Sequence, residues 1–195
     1  MRFRWHGLRS VAPAVAITAA IAAAAALWHN LPEPTELYKP FDVHAGVGQQ
    51  ATGRGITATV DGVRIGPKVH KVSPPKITVQ SVGTWVVVDA AVMATRAFEM
   101  PHAALIVGPN TYEPSDRFFL TALGAELEPG ITQRGSWAFE VPAELVAAEA
   151  DPISLRVWLN TDSLDSRIVV TIPLDGQHVS RDDVVTLEPV TESAT

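Results

Sequence analysis

The sequence predicts an all-β domain, a sandwich or barrel, preceded by one N-terminal apolar segment. Two observations carry this reading. Beyond Arg54 there are seven or eight short runs of β-branched and aromatic residues, separated by Pro, Gly, Asn and Asp signals. Before it, Val11 to Trp28 is a stretch of eighteen residues without a charge. At 195 residues the chain has room for one domain with an ordinary core plus an anchor or tail.

The apolar segment, "VAPAVAITAAIAAAAALW", would as a helix cover roughly 27 Å, close to the thickness of a hydrocarbon core. Arg2, Arg4 and Arg9 precede it and no acid occurs before Glu33, an asymmetry that puts residues 1–10 in the cytoplasm and the remainder outside. Trp5 and Trp28 flank the run as interface anchors would. The expectation is a single-pass transmembrane signal anchor over 11–28. A basic start, an apolar centre and small residues from Ala22 to Ala26 also fit a cleaved signal peptide, which would leave the domain secreted. Run length and the aromatic end favour the anchor, and an alanine-rich face suits close packing against another helix.

Charge bounds the partners. Three Arg and no acid stand in residues 1–28, which leaves 12 basic and 21 acidic residues, or −9, in the rest. That balance argues against nucleic acid and against an electrostatic grip on anionic lipid head groups. The absence of Cys removes disulfides, thiolate catalysis and Cys-ligated metals, so an exported domain must depend on its core alone.

From His29 to Gly53, "HNLPEPTELYKPFDVHAGVGQQATG" has no sustained period and reads as a linker without regular structure. The sandwich is expected over 54–174. "GITATVDGVRI" alternates, with a phase shift at Asp61-Gly62 that a turn or bulge would make. "KITVQSV", "TWVVVDAAVMAT", "AALIVG", "RFFLTAL", "GITQRGSWAFEV", "ISLRVWL" and "SRIVVTI" follow as strands, and Pro142 with "AELVAAEA" reads as a short helix. Residues 175–195 form an acidic tail in which "DVVTLEPV" adds an edge strand and the last residues are expected to be disordered.

Candidate chemistry is sparse. Ser136 in "RGSWA" lacks the second Gly of a nucleophile elbow, and alternation runs through it, with Trp137, Phe139 and Val141 on one face and Ser136, Ala138 and Glu140 on the other. His6, His29, His44, His70, His102 and His178 show no i, i+2 or i, i+4 pair, so no metal site is assigned. Asn160, Asp162 and Asp165 in "NTDSLDSR" offer oxygen ligands for calcium, but the same residues suit a hairpin turn. Glu126, Glu128, Glu140 and Glu144 cluster in sequence without a distinctive context for paired-carboxylate hydrolysis. No catalytic residue and no cofactor is assigned. Trp85, Trp137, Trp158, Phe118 and Phe119 are expected in the core or packed under loops, but Phe118-Phe119 places adjacent aromatics on opposite faces, which makes this pair the candidate partner contact or apolar groove.

The run "ITATVDGVRI", then "GTWVVVDAAVMAT", "LEPGITQRGSWAFEVPAEL" and "LRVWL", resembles the exported bacterial immunoglobulin-like domains of unknown function that share their fold with a mycobacterial immunoprotective extracellular antigen. The likeness covers roughly Arg54 to Leu174, with Trp85 to Val92 at the family's long strand, Pro129-Gly130 at its turn and Phe139 to Pro142 at its strand end. "VMATRAFEMP" departs from the Asn-containing turn usual after the long strand. The resemblance implies an immunoglobulin-like sandwich, no active site to transfer, and frequent attachment to a membrane. The resulting expectation is a non-catalytic, membrane-anchored extracytoplasmic domain, an accessory subunit of a bacterial cell-envelope complex, of actinobacterial type, with a protein partner. The alternative is a binding module for a lipid or other apolar envelope ligand.

Overall fold

The computed structural model describes residues 11–31, 38–118, 121–161 and 163–194. Two compact units divide the chain, residues 1–39 and 40–195.

The first unit carries α1 (Val11–His29). Thr18 returns its hydroxyl to the Ala14 carbonyl at 3.0 Å, and the Asn30 side-chain amide closes the last turn on Ala26 at 2.8 Å. Val15, Ile17, Ile21, Leu27 and Trp28 are all exposed, and apolar side chains surround the helix without forming an amphipathic seam. Among the described residues no helix is long and apolar enough to cross a membrane. That narrows the expectation at Val11–Trp28 to a helix: its 19 residues rise about 28 Å, near the lower bound for spanning, and alanine makes up more than half of them.

The second unit is all-β, as expected. Its strands are β1 (Phe41–Gly46), β2 (Ala51–Thr52), β3 (Ile56–Lys71), β4 (Ile77–Ala94), β5 (Pro101–Val107) and β6 (Asn110–Tyr112). These are followed by β7 (Ile131–Val141), β8 (Ile153–Leu159), β9 (Ser166–Ile172), β10 (Val179–Arg181), β11 (Val185–Leu187) and β12 (Thr191–Ala194). One sheet runs β1-β9-β8-β5-β6 and the other β10-β3-β4-β7-β12, with β2 and β11 also paired to β3. Together they make a two-layer β-sandwich.

Period-two alternation fills the space between the sheets. Val60, Val63, Val86, Val88, Trp137 and Phe139 from the larger sheet meet Leu105, Leu155, Val157, Ile168 and Val170 from the smaller one. The phase shift read at Asp61-Gly62 is a bulge, where the β3–β4 register jumps between Val60 and Gly62. "KITVQSV" and "TWVVVDAAVMAT" join as the two arms of β4, with a second irregularity opposite Gly66 and Lys68. Between the arms Val82 is thrown into solvent and Gly83 passes so close to β7 that an added Cβ would lie 2.3 Å from the Val141 carbonyl oxygen.

The larger sheet is buried on its outer side as well. Val69, Trp85, Val87, Ala138, Val185 and Leu187 form a second apolar cluster with Phe118 and Ala122. Here "RFFLTAL" departs from its expected strand: Asp116–Phe118 is a single 3-10 turn that drops Phe118 edge-on against Trp85, ring centroids 5.3 Å apart. The helix expected after Pro142 shortens to a 3-10 turn at Ala143–Val146.

Both flanks of the expected domain extend it. The segment read as an unstructured linker contains β1 and β2, because Val43 and Ala45 alternate onto the core while β1 pairs in parallel with β9 from Phe41↔Ser166 to Gly46↔Thr171. The tail supplies three strands: β10 and β11 add to β3 in parallel and β12 to β7 antiparallel. Val185 and Leu187 are buried there, while the acids around them face water, the usual dressing of a sheet edge.

Because Phe118 is buried against Trp85, we expect Phe118→Ala to cost about 3–4 kcal/mol. A lower urea midpoint with little change in slope is the expected reading.

Candidate functional site

Ser136 stands on β7 directly opposite Asp89 on β4. Its hydroxyl donates to Asp89 Oδ1 at 2.6 Å, and Arg64 of β3 grips the same carboxylate through Nε at 2.7 Å and Nη2 at 2.6 Å. Arg64 Nη1 also donates to the Thr186 carbonyl on β11. The Ser136 hydroxyl is committed to a carboxylate already clamped by a guanidinium, an arrangement that satisfies all three groups. The group is a polar tie across four strands, in keeping with the alternation read through Ser136.

The other sequence candidates are dispersed or occupied. Phe118 is buried beneath the second cluster, which removes it as a partner contact; Phe119 lies outside the described residues. Glu126 and Glu128 precede the first residue of β7 while Glu140 is its next-to-last residue and Glu144 lies beyond it, so most of the strand, about 30 Å, separates the two pairs. Asn160 and Asp165 share the β8–β9 loop: Asn160 donates to Glu99, and Asp165 Oδ1 accepts the Ser166 N–H at 2.7 Å. Asp162 lies outside the described residues, among which no cluster of three or more potential metal ligands occurs. His70 bonds Thr78 at 2.8 Å and His178 neighbours Gln177 at 3.4 Å.

Glu140 is a structural carboxylate. Its Oε1 accepts the Val82 backbone N–H and the Ser81 hydroxyl, each at 2.9 Å, and Arg117 stands 3.9 Å from Oε2. The Val82 bond, with smaller help from Ser81 and Arg117, outweighs partial desolvation and holds its pKa below the ordinary value.

What the sequence reading missed is the open face of the smaller sheet. Along β8, Ile153, Leu155, Val157 and Leu159 are buried, while Ser154, Arg156 and Trp158 point the other way and are half-buried. Trp158 is therefore outside the core, a correction its own phase foretold, since it alternates with Arg156 and not with Leu155. Register places His102 of β5 beside Trp158, and the two rings stack with centroids 5.7 Å apart and planes 19° from parallel. On the same outward face Arg167 of β9 pairs with Asp42 of β1 through bonds of 2.8 and 3.1 Å. In the next row His44, Val169, Arg156 and Ala104 lie side by side. Arg156 Nε is buried without a hydrogen-bond partner, an unspent donor beneath this face.

At the end of the sandwich where β1 begins, the β4–β5 and β8–β9 loops surround a cavity of about 370 Å³ lined by Arg54, Arg96, Glu99, Asn160, Ser163 and Asp165 among others.

No protein-family description matches the chain, and neither does any curated protein. Among solved structures the chain is similar to an uncharacterized β-sandwich protein from Clostridium difficile 630, at 12% identity and a TM-score of 0.46 over 72% of this chain and 99% of that one.

Two substitutions test these assignments. Ser136→Ala is expected to leave the fold intact at a cost of about 1 kcal/mol, measured by denaturation. Glu140→Gln should cost about 1 kcal/mol at neutral pH. The Glu140 pKa is depressed in the folded chain, so its stabilisation is present above the unfolded-state value and lost as pH falls through the folded one. The Tm difference between wild type and variant should therefore close below about pH 4.

Proposed function

We propose that this chain is a non-catalytic, membrane-anchored extracytoplasmic domain that serves as an accessory subunit of a cell-envelope complex and binds a protein partner through the open face of its smaller sheet. The observation that carries the reading is the unequal covering of the two sheets. The outer side of the larger sheet is sealed by Phe118, Ala122 and β11, whereas Trp158, His102 and Arg156 stand on the smaller sheet with no further layer over them among the described residues. Trp and Arg are the residues that most often dominate interface energetics, because each brings a large contact area with a directional polar group.

Anchoring rests on the sequence: three Arg, then eighteen uncharged residues forming α1, whose side chains have no seam to bury against a single neighbour. The immunoglobulin-like reading gains support from strand order. In β1-β9-β8-β5-β6 the neighbour relations match those of strands G, F, C and C′ with an added first strand, and in β3-β4-β7 those of A, B and E. Attachment at the envelope and a docking role follow as one proposal, with no reaction and no cofactor in it.

Mild detergent extraction followed by size exclusion should yield a stoichiometric complex. Trp158→Ala together with Arg156→Glu should weaken it by about 2 kcal/mol or more, roughly 30-fold in Kd, with Tm nearly unchanged. A strictly monomeric wild-type chain, or a complex indifferent to both substitutions, would sink the reading.

A further inference from the structure

The end of the sandwich that receives the chain from residue 40 gathers many strand ends. β1, β3, β5, β7 and β9 begin there and β2, β4, β8 and β12 finish there, and the loops between them are knit by backbone bonds. Phe41 N donates to Asp165 O at 2.8 Å, Thr95 N to Gly55 O at 2.8 Å and Asn160 N to Met100 O at 3.2 Å. On this framework four large apolar side chains point into water: Phe41 at 63% exposure, Phe98 at 58%, Met100 at 48% and Leu164 at 47%. Leu164 lines the polar cavity at this end, and Phe98 and Met100 flank its lining residue Glu99 in sequence. Its carboxylates are partly committed, Glu99 to the Asn160 amide and Asp165 to the Ser166 N–H. Arg54 and Arg96 are exposed, and neither guanidinium has a carboxylate partner among the described residues.

Exposed apolar side chains beside a cation-bearing polar cavity match the chemistry of a phospholipid interface, where acyl chains and phosphates lie close together in depth. We infer that this end of the sandwich seats on a phospholipid surface, with Phe98, Met100, Leu164 and Phe41 entering the headgroup layer while Arg54 and Arg96 meet lipid phosphates. The inference deepens the proposed membrane attachment and rests on it for the presence of a bilayer. The acidic balance of the domain as a whole does not oppose such a contact, because exposed charges more than about 8 Å away are largely screened at physiological salt and the apolar side chains gain their hold by insertion.

The lack of any Cys makes the test direct. Single substitutions Phe98→Cys, Leu164→Cys and, at the opposite end, Val82→Cys are labelled with a small fluorophore in the full chain. Each is reconstituted into phosphatidylcholine vesicles carrying a minor fraction of lipid with a nitroxide at headgroup depth. Docking predicts loss of most emission at 98 and 164, with Val82 unaffected, and a several-fold smaller loss when Arg54→Glu and Arg96→Glu are combined. Equal quenching and equal access to a water-soluble quencher at all three positions would overturn the inference. Resistance to alkaline carbonate extraction is scored on the same vesicles and reports the anchor alone. A chain that resists extraction but shows no difference between the ends removes the docking and keeps the anchor, and a chain that shows the difference yet washes off keeps the docking and removes the anchor.

Discussion

Everything in this domain depends on β4 being apolar on both of its faces. Val86 and Val88 point between the sheets, while Trp85 and Val87 point outward, and all four are fully buried. A strand in that position cannot alternate with polar residues, so each of its sides must be given a cover. The inner cover is the smaller sheet. The outer one is assembled from pieces, the 3-10 turn bearing Phe118 and the strand β11, and burying Trp85 is what draws both into place. For a chain without disulfides this doubling of apolar layers on one strand supplies stability that a single core of this size would otherwise have to provide alone.

The same burial explains the polar tie beside it. Asp89 lies on the outward side of β4, where a carboxylate would face partial desolvation, and Arg64 and Ser136 from the two neighbouring strands neutralise and saturate it. Because Arg64 also reaches the Thr186 carbonyl, the tie fastens the outer cover to the sheet it protects. Ser136 is thus explained by its neighbours in space. Its flanking Gly135 is accounted for in the same way, since an added Cβ would press on Val190 at 2.8 Å.

How much of this was legible depends on where the period-two signal was clean. β3, β4, β7, β8 and β9 were readable because each alternates or runs apolar for long enough to stand out, and the bulge at Asp61-Gly62 was visible as a slip of phase. β1 and β10 were not, since each is short and earns its place only by pairing with residues more than a hundred positions away, whereas β11 was legible as the strand in "DVVTLEPV". "RFFLTAL" misled for the opposite reason: its composition suits a strand, but the cover over Trp85 needs one aromatic delivered by a tight turn. The open face of the smaller sheet could have been found from the phase of "ISLRVWL", where Trp158 sides with Arg156 and not with the aliphatic residues. The cavity end had no such signal, because its residues come from loops whose meeting is decided by topology.

The parallel strands β10 and β11 bear on the order in which this molecule is made. Both complete β3, one of the earliest strands, using residues more than a hundred positions downstream, and β1 likewise waits for β9. A polypeptide emerging N-terminus first therefore carries part of the β3 edge unpaired, and the outer face of β4 incompletely covered, until residues 179–187 have been delivered. During that interval the nascent domain is a template for mispairing, and a truncation that looks like the trimming of an acidic tail would fix it in that state. The strands from Val179 onward are in this sense the closing step of the domain's assembly, and its larger sheet cannot be whole before they arrive.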